Sequence, residues 1–180
     1  MMNLHQMQLA YQADQDRILF RISLLSDDKS KQEIRAWLTR RIVRNLWTGL
    51  IKALETQVAL DQPQAAHAKS EIVGMAHQST VTELASRGDF KVALQENAEQ
   101  YPIGEEPILI SAAHFTLHAR QALRINFTPA HGQGFEIAFQ APILHGFCSL
   151  LQQVVKEADW GMELNLPGSA PDAEAPRTLN

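Results

Sequence analysis

Residues 39–60 read TRRIVRNLWTGLIKALETQVAL, and this stretch decides the fold. Ile42, Val43, Leu46, Trp47, Leu50, Ile51 and Leu54 recur at the 3, 4, 7, 8 spacing of one helical face. The spacing predicts a helix lying on a core, with Thr39 placed to cap its start. An apolar stripe of that width needs something flat and apolar to cover it, so the neighbouring segments are expected to be strands.

They carry the pattern. His5, Met7, Leu9 and Tyr11 alternate with Gln6, Gln8 and Ala10, the period of two of a half-buried strand. After a turn at Asp14–Asp16, Ile18, Phe20, Ile22 and Leu24 alternate with Arg17, Leu19, Arg21 and Ser23, which makes a hairpin. Beyond the turn SDDKSK, Ile34, Ala36 and Leu38 stand against Glu33, Arg35 and Trp37 as a third strand. Residues 5–60 therefore read β-β-β-α.

The pattern returns over residues 108–160. Ile108–His118 is a strand whose apolar parity switches from even (Ile108, Ile110) to odd (Phe115, Leu117) near Ala112 and Ala113, and that switch predicts a bulge. Leu123, Ile125 and Phe127 form its hairpin partner, and Phe135, Ile137 and Phe139 follow the turn PAHGQG. Pro142 then opens a helix striped by Ile143, Leu144, Phe147, Leu150, Leu151, Val154 and Val155. Element order, loop length and amphipathicity agree although residue identities hardly do. The expectation is an α+β fold of duplicated β-β-β-α units, an antiparallel sheet packed against two long amphipathic helices, in one domain spanning 1–166.

Residues 62–106 read as an inserted helical and loop segment. It begins as a marginal helix near Gln64, weakened by Gly74 and by Thr80-Val81-Thr82. A short strand at Phe90, Val92 and Leu94 and an acidic loop, QENAEQYPIGEEP, complete it. Met162–Leu166 are placed to add an edge strand, and PGSAPDAEAPRTLN, 167–180, has too little apolar surface to order itself.

Composition narrows the function by exclusion. Cys148 is the single cysteine, so no intramolecular disulfide forms, and no window approaches the roughly 18 apolar residues of a membrane span. The amino terminus lacks a basic, then apolar, leader. These features point to a cytoplasmic protein without a membrane partner. The net charge of −4 is split: residues 1–60 hold nine Lys and Arg against six Asp and Glu, and residues 61–180 hold seven against fourteen. A chain with oppositely charged halves suits head-to-tail self-association, a protein partner or an anionic ligand on the first half.

No reaction centre is legible. His114 and His118 have the spacing of a helical zinc pair, but on a strand four steps separate them by roughly 13 Å. Cys148 lies in an apolar pattern where a thiol is inert, and phosphate-binding or nucleophile-elbow motifs are missing. Catalytic residues, metal ligands and cofactors are therefore all assigned as none, and an enzyme is disfavoured. The remaining oddity is cationic. Arg40, Arg41 and Arg44 open the central helix, where the macrodipole disfavours positive charge. With Arg35 they are candidates to hold an anion such as phosphate, and Arg17, Arg21 and Trp37 extend the set toward single-stranded nucleic acid. The competing use for Arg35, Arg40, Arg41 and Arg44 is pairing with Glu33, Asp14 or Asp16, or with an acidic surface of another copy. The leading expectation is a non-catalytic binding or scaffolding protein that forms a homo-oligomer, with nucleic-acid or phosphate-ligand binding as the alternative.

Overall fold

Alternation builds strands and the 3.6-residue period builds helices where the sequence places them. The computed structural model describes residues 3–25, 30–87 and 98–168. Three strands come first: β1 (Asn3–Gln12), β2 (Arg17–Leu25) and β3 (Lys31–Leu38). Helix α1 (Arg40–Asp61), a 3-10 turn (Pro63–Ala68) and helix α2 (Lys69–Arg87) follow. The chain then forms β4 (Ile108–Thr116), β5 (Leu123–Pro129), β6 (Phe135–Phe139) and α3 (Ala141–Ala158). The expected strand at Phe90–Leu94 and the tail from residue 169 onward lie outside the described residues.

The class is α+β, but the sheet differs from the expectation in one joint. Its order is β1-β2-β3-β4-β5-β6, and every neighbouring pair is antiparallel except β3 and β4. Those two run parallel, Ala36 opposite Ile108 and Trp37 opposite Leu109. The sheet is therefore mixed. The physical reason is the connection: a chain that leaves β3 through α1 and α2 returns to the same end of the sheet, as a crossover does, instead of doubling back as a hairpin. Alternation reports which face a residue takes and carries no information about which strand lies alongside. The helix count differs as well. Among the described residues there are three α-helices, because α2 is continuous through Gly74 and Thr80–Thr82 and runs for 19 residues, packed on α1 and α3.

The sheet is curled. In a flat sheet three strand spacings of about 4.8 Å would hold β2 and β5 roughly 14 Å apart. Yet the Phe20 and Phe127 rings lie 5.9 Å apart, and Phe147 of α3 stacks against both Phe20 and Phe139. The concave face is thus the core. It is lined by Ile18, Phe20, Ile22, Ile34, Ala36 and Leu38 from β2 and β3, and by Leu123, Ile125, Phe127, Phe135, Ile137 and Phe139 from β5 and β6. Helix α1 closes it with Ile42, Val43, Leu46, Trp47, Leu50 and Leu54.

Local signals hold in detail. The Thr39 hydroxyl accepts a hydrogen bond from the Ile42 N–H, capping α1 as expected. The register of β4 shifts between Ile110 and Ala112, so a bulge accounts for the change of apolar parity. Gly49 of α1 sits where an added Cβ would come within 2.3 Å of the Phe115 ring, so this glycine lets helix and β4 approach. Residues 162–166 form no strand. Their carbonyls are claimed by side chains instead: Trp47 Nε1 donates to the Asn165 carbonyl at 3.3 Å, and Gln152 Nε2 to that of Leu164 at 2.7 Å. Pro167 and Gly168 then lie against Gly74 and the first turn of α2. No helix among the described residues is long and apolar enough to cross a membrane.

Candidate functional site: the convex face of the sheet

Because the helices and the core occupy the concave face, every second residue of the strands points outward on the convex one. Register makes these residues line up in rows. Ala10 of β1 lies opposite Leu19 of β2, Leu19 opposite Trp37 of β3, and Trp37 opposite Leu109 of β4. The result is an apolar row crossing four strands, and Leu109 at its end is 45% exposed. Cross-strand neighbours of this kind stabilise a sheet modestly, but an apolar row on an outer face leaves surface that water must cover.

Polar rows flank it. Gln12 pairs with Arg17 on one side; on the other, Gln8 faces Arg21, and Arg21 faces Arg35. One step further, Ser23 faces Glu33. Glu33 is only 2% exposed, although it lies on the outer face. Arg21 Nε donates to its Oε1 at 2.8 Å and Arg35 Nε to the same oxygen at 2.7 Å, while Arg21 Nη2 reaches Oε2 at 3.2 Å. Burial alone pushes this carboxyl up; the hydrogen bonds and charges of the two arginines outweigh burial and hold it below the ordinary carboxylate value. Arg35 also lies 4.9 Å from the centre of the Tyr101 ring and donates to the Tyr101 hydroxyl at 3.2 Å. The segment before β4 is thereby tied to β3, as are Glu99 and Gln100, whose N–H groups donate to the Lys31 carbonyl.

The candidate arginines therefore divide into two groups. Arg17, Arg21, Arg35 and Trp37 share the convex face. Arg40, Arg41 and Arg44 are exposed at the start of α1, which packs on the concave side. Arg40 lies near Asp16, which accepts hydrogen bonds from Trp160 Nε1 at 2.6 Å and the Tyr11 hydroxyl at 2.9 Å. Those two bonds, and secondarily the charge of Arg40, hold the Asp16 carboxyl below its ordinary value. Arg44 borders an open groove of about 340 Å³ with Trp47, Thr48 and residues 161–164. The expected convergence of Arg35 with Arg40, Arg41 and Arg44 does not occur, since Arg35 points to the opposite face of the sheet and binds Glu33.

Elsewhere, Cys148 is fully buried and its thiol is pushed up to about 12 by burial, which leaves it no thiolate for nucleophilic attack. Among the described residues no three His, Cys, Asp or Glu side chains converge as metal ligands. Leu19, Leu109 and Tyr101 are the residues of this face that sequence reasoning missed. Leu19 and Leu109 occupy polar-phase positions of their strands, and an apolar residue out of phase was the available signal. Tyr101 sits in an acidic loop with no periodicity to mark it.

Comparison with protein-family models, with curated proteins and with solved structures finds no significant match, so the chain's own residues carry the functional reading.

Proposed function

We propose that the protein is a non-catalytic scaffolding protein that self-associates through the convex face of its sheet. One observation carries this reading: the row Ala10, Leu19, Trp37 and Leu109 crosses four strands on the side that no described helix covers. Its occupant is a second copy. The first 60 residues carry excess positive charge and the remainder excess negative charge, so two copies attract when the first part of one meets the second part of the other. The central Trp supplies the kind of aromatic anchor on which such contacts depend. The same reading includes the duplicated β-β-β-α units, supported by the recurrence of that element order on the two sides of α2. A cytoplasmic location belongs to it too, supported by a lone, buried, reduced cysteine.

Light scattering coupled to size exclusion tests it. A species of at least twice the 20.1 kDa chain mass is expected, and Trp37→Glu or Leu109→Glu returns it to one chain with unchanged circular dichroism. A single-chain mass at every concentration would overturn the reading. A second reading, single-stranded nucleic acid on the same face, is favoured by Trp37 standing between the rows of Arg17 and Arg21, since bases stack on aromatic rings between phosphate-binding cations. Its weakness is that Glu33 already neutralises part of the charge of Arg21 and Arg35. Salt-dependent binding of a labelled oligonucleotide, abolished by Trp37→Ala, is the result it requires.

A further inference from the structure

Helix α2 is held on the molecule by little apolar surface. Only Val73 and Gly74 are fully buried along its 19 residues, and Met75 is among the most exposed apolar side chains. Its contact with α3 is short and polar at its centre. Leu84 approaches Gly146, and His77 meets His145 with ring centroids 5.4 Å apart and planes at 61°. His145 is 5% exposed, and the Nδ1 atoms of both rings are buried without a hydrogen-bond partner. A buried imidazole with an unsatisfied nitrogen is a group that water, or a proton, would stabilise as soon as the interface parts.

We propose that α2 is an acid-released latch: protonation of the His77 and His145 pair detaches α2 from α3 while the sheet and α1 remain folded.

The surroundings favour it. From helix α1, Glu55 accepts from Ser70 and pairs with Lys69 at the first turn of α2, two turns away from His77. The 3-10 turn brings only the exposed His67, and Pro167 and Gly168 bring no charge. On α2 itself Glu83 and Arg87 pair with each other at the surface. Against His77, α3 sets Gln152 and His145. Glu71, in the first turn of α2, is exposed, and among the described residues no carboxylate is placed to receive an imidazolium. Burial holds both rings below the ordinary histidine value, His145 at about 4, and a charge on either ring opposes one on the other.

The sign follows from linkage. A ring that takes its proton near pH 6.5 when released and only near 4 when docked leaves docking unaffected above about pH 6.5. For His145 docking weakens roughly tenfold per pH unit between those values and the loss levels off below the docked one, and the lowered His77 adds to it in the same direction. Release uncovers Val73 and the His145 side of α3.

Hydrogen exchange read by mass spectrometry at pH 7 and pH 5, corrected for intrinsic rates, tests the latch. In the wild-type chain the amides of α2 are expected to lose at least about tenfold of their protection at pH 5 while those of α1 and β2 keep theirs. His77→Gln with His145→Gln is expected to keep α2 protected at both values. Unchanged α2 protection in the wild type, or a loss that persists in the double variant, overturns the proposal. Should the double variant fail to fold, the imidazole resonances of the wild type decide. Two rings titrating near 6.5 with α2 still docked refute the latch, and depressed titration that coincides with the loss of α2 protection supports it.

Discussion

Glu33 shows what a single residue can decide. A carboxylate on the outer face of a sheet ordinarily stands in water; this one is buried between two guanidinium groups, and its removal would leave Arg21 and Arg35 facing each other across β2 and β3. Glu33→Gln keeps the shape and deletes the charge. Breaking a buried pair of this kind is expected to cost about 3 kcal/mol, read as a lower urea midpoint. The pH dependence separates it from the histidine pair. A carboxyl whose folded value is lowered contributes stability that is fully present above its unfolded value, near 4.5, and is lost as pH falls through the folded one. The wild type is therefore expected to lose this contribution only below about pH 4.5, whereas the histidine pair acts from about 6.5 downward. Glu33→Gln should flatten the lower window and leave the upper one in place. Pairing of Arg35 with Glu33 was among the alternatives the sequence offered; the part of Arg21 and the burial of the carboxylate were not legible, because exposure on an outer face depends on what neighbouring segments lie on it, here Tyr101 over Arg35 from a stretch without period.

At the scale of elements, the period of two and the period of 3.6 locate strands and helices well, since each follows from which side chains must leave water. The cap at Thr39 and the bulge in β4 follow from the same local rules. The junctions are where such rules stop. Nothing in residues 31–38 or 108–116 distinguishes a parallel neighbour from an antiparallel one, and nothing in the α1 stripe announces that Gly49 is the point of closest approach to Phe115. Gly49→Ala tests that approach. Helix propensity alone favours alanine by about 1 kcal/mol, but the added methyl meets the Phe115 ring and forces the helix or the ring to shift. The expected outcome is a net loss of about 1–2 kcal/mol by thermal or urea unfolding, relieved in part when Phe115→Leu is added. A gain in stability would show that α1 and β4 approach less closely than described. The α2 helix illustrates the opposite failure. Its stripe looked weak because it covers other helices through small and polar contacts, and it formed nonetheless with Leu84, His77 and Val73 turned inward.

For the whole molecule, the candidate site was half legible. Arg17, Arg21, Arg35 and Trp37 were nominated from the outward phase of their strands and do share one face. Arg40, Arg41 and Arg44 were joined to them by closeness in sequence, and a curled sheet with its helices inside sends them to the other side. The proposed self-association has a salt signature at this scale. If opposite charge guides the copies together and the Trp37 row holds them, added salt should slow association while leaving much of the apolar contact intact. Mass measured at rising ionic strength is then expected to fall gradually, and Trp37→Glu to abolish the larger species at all ionic strengths.

The parallel joint between β3 and β4 also bears on how the chain reaches this structure. Ala36 and Ile108 lie about seventy positions apart along the chain, whereas β1 to β3 and β4 to β6 close by short hairpins. Local hairpins form in microseconds, and long loops close only after paying a larger entropic cost. The seam should therefore knit last, with each three-strand sheet already assembled when the rate-limiting barrier is crossed. Ile108→Gly, which weakens the seam without touching the β2–β3 pairing, is then expected to accelerate unfolding and leave the refolding rate nearly unchanged in stopped-flow denaturant jumps.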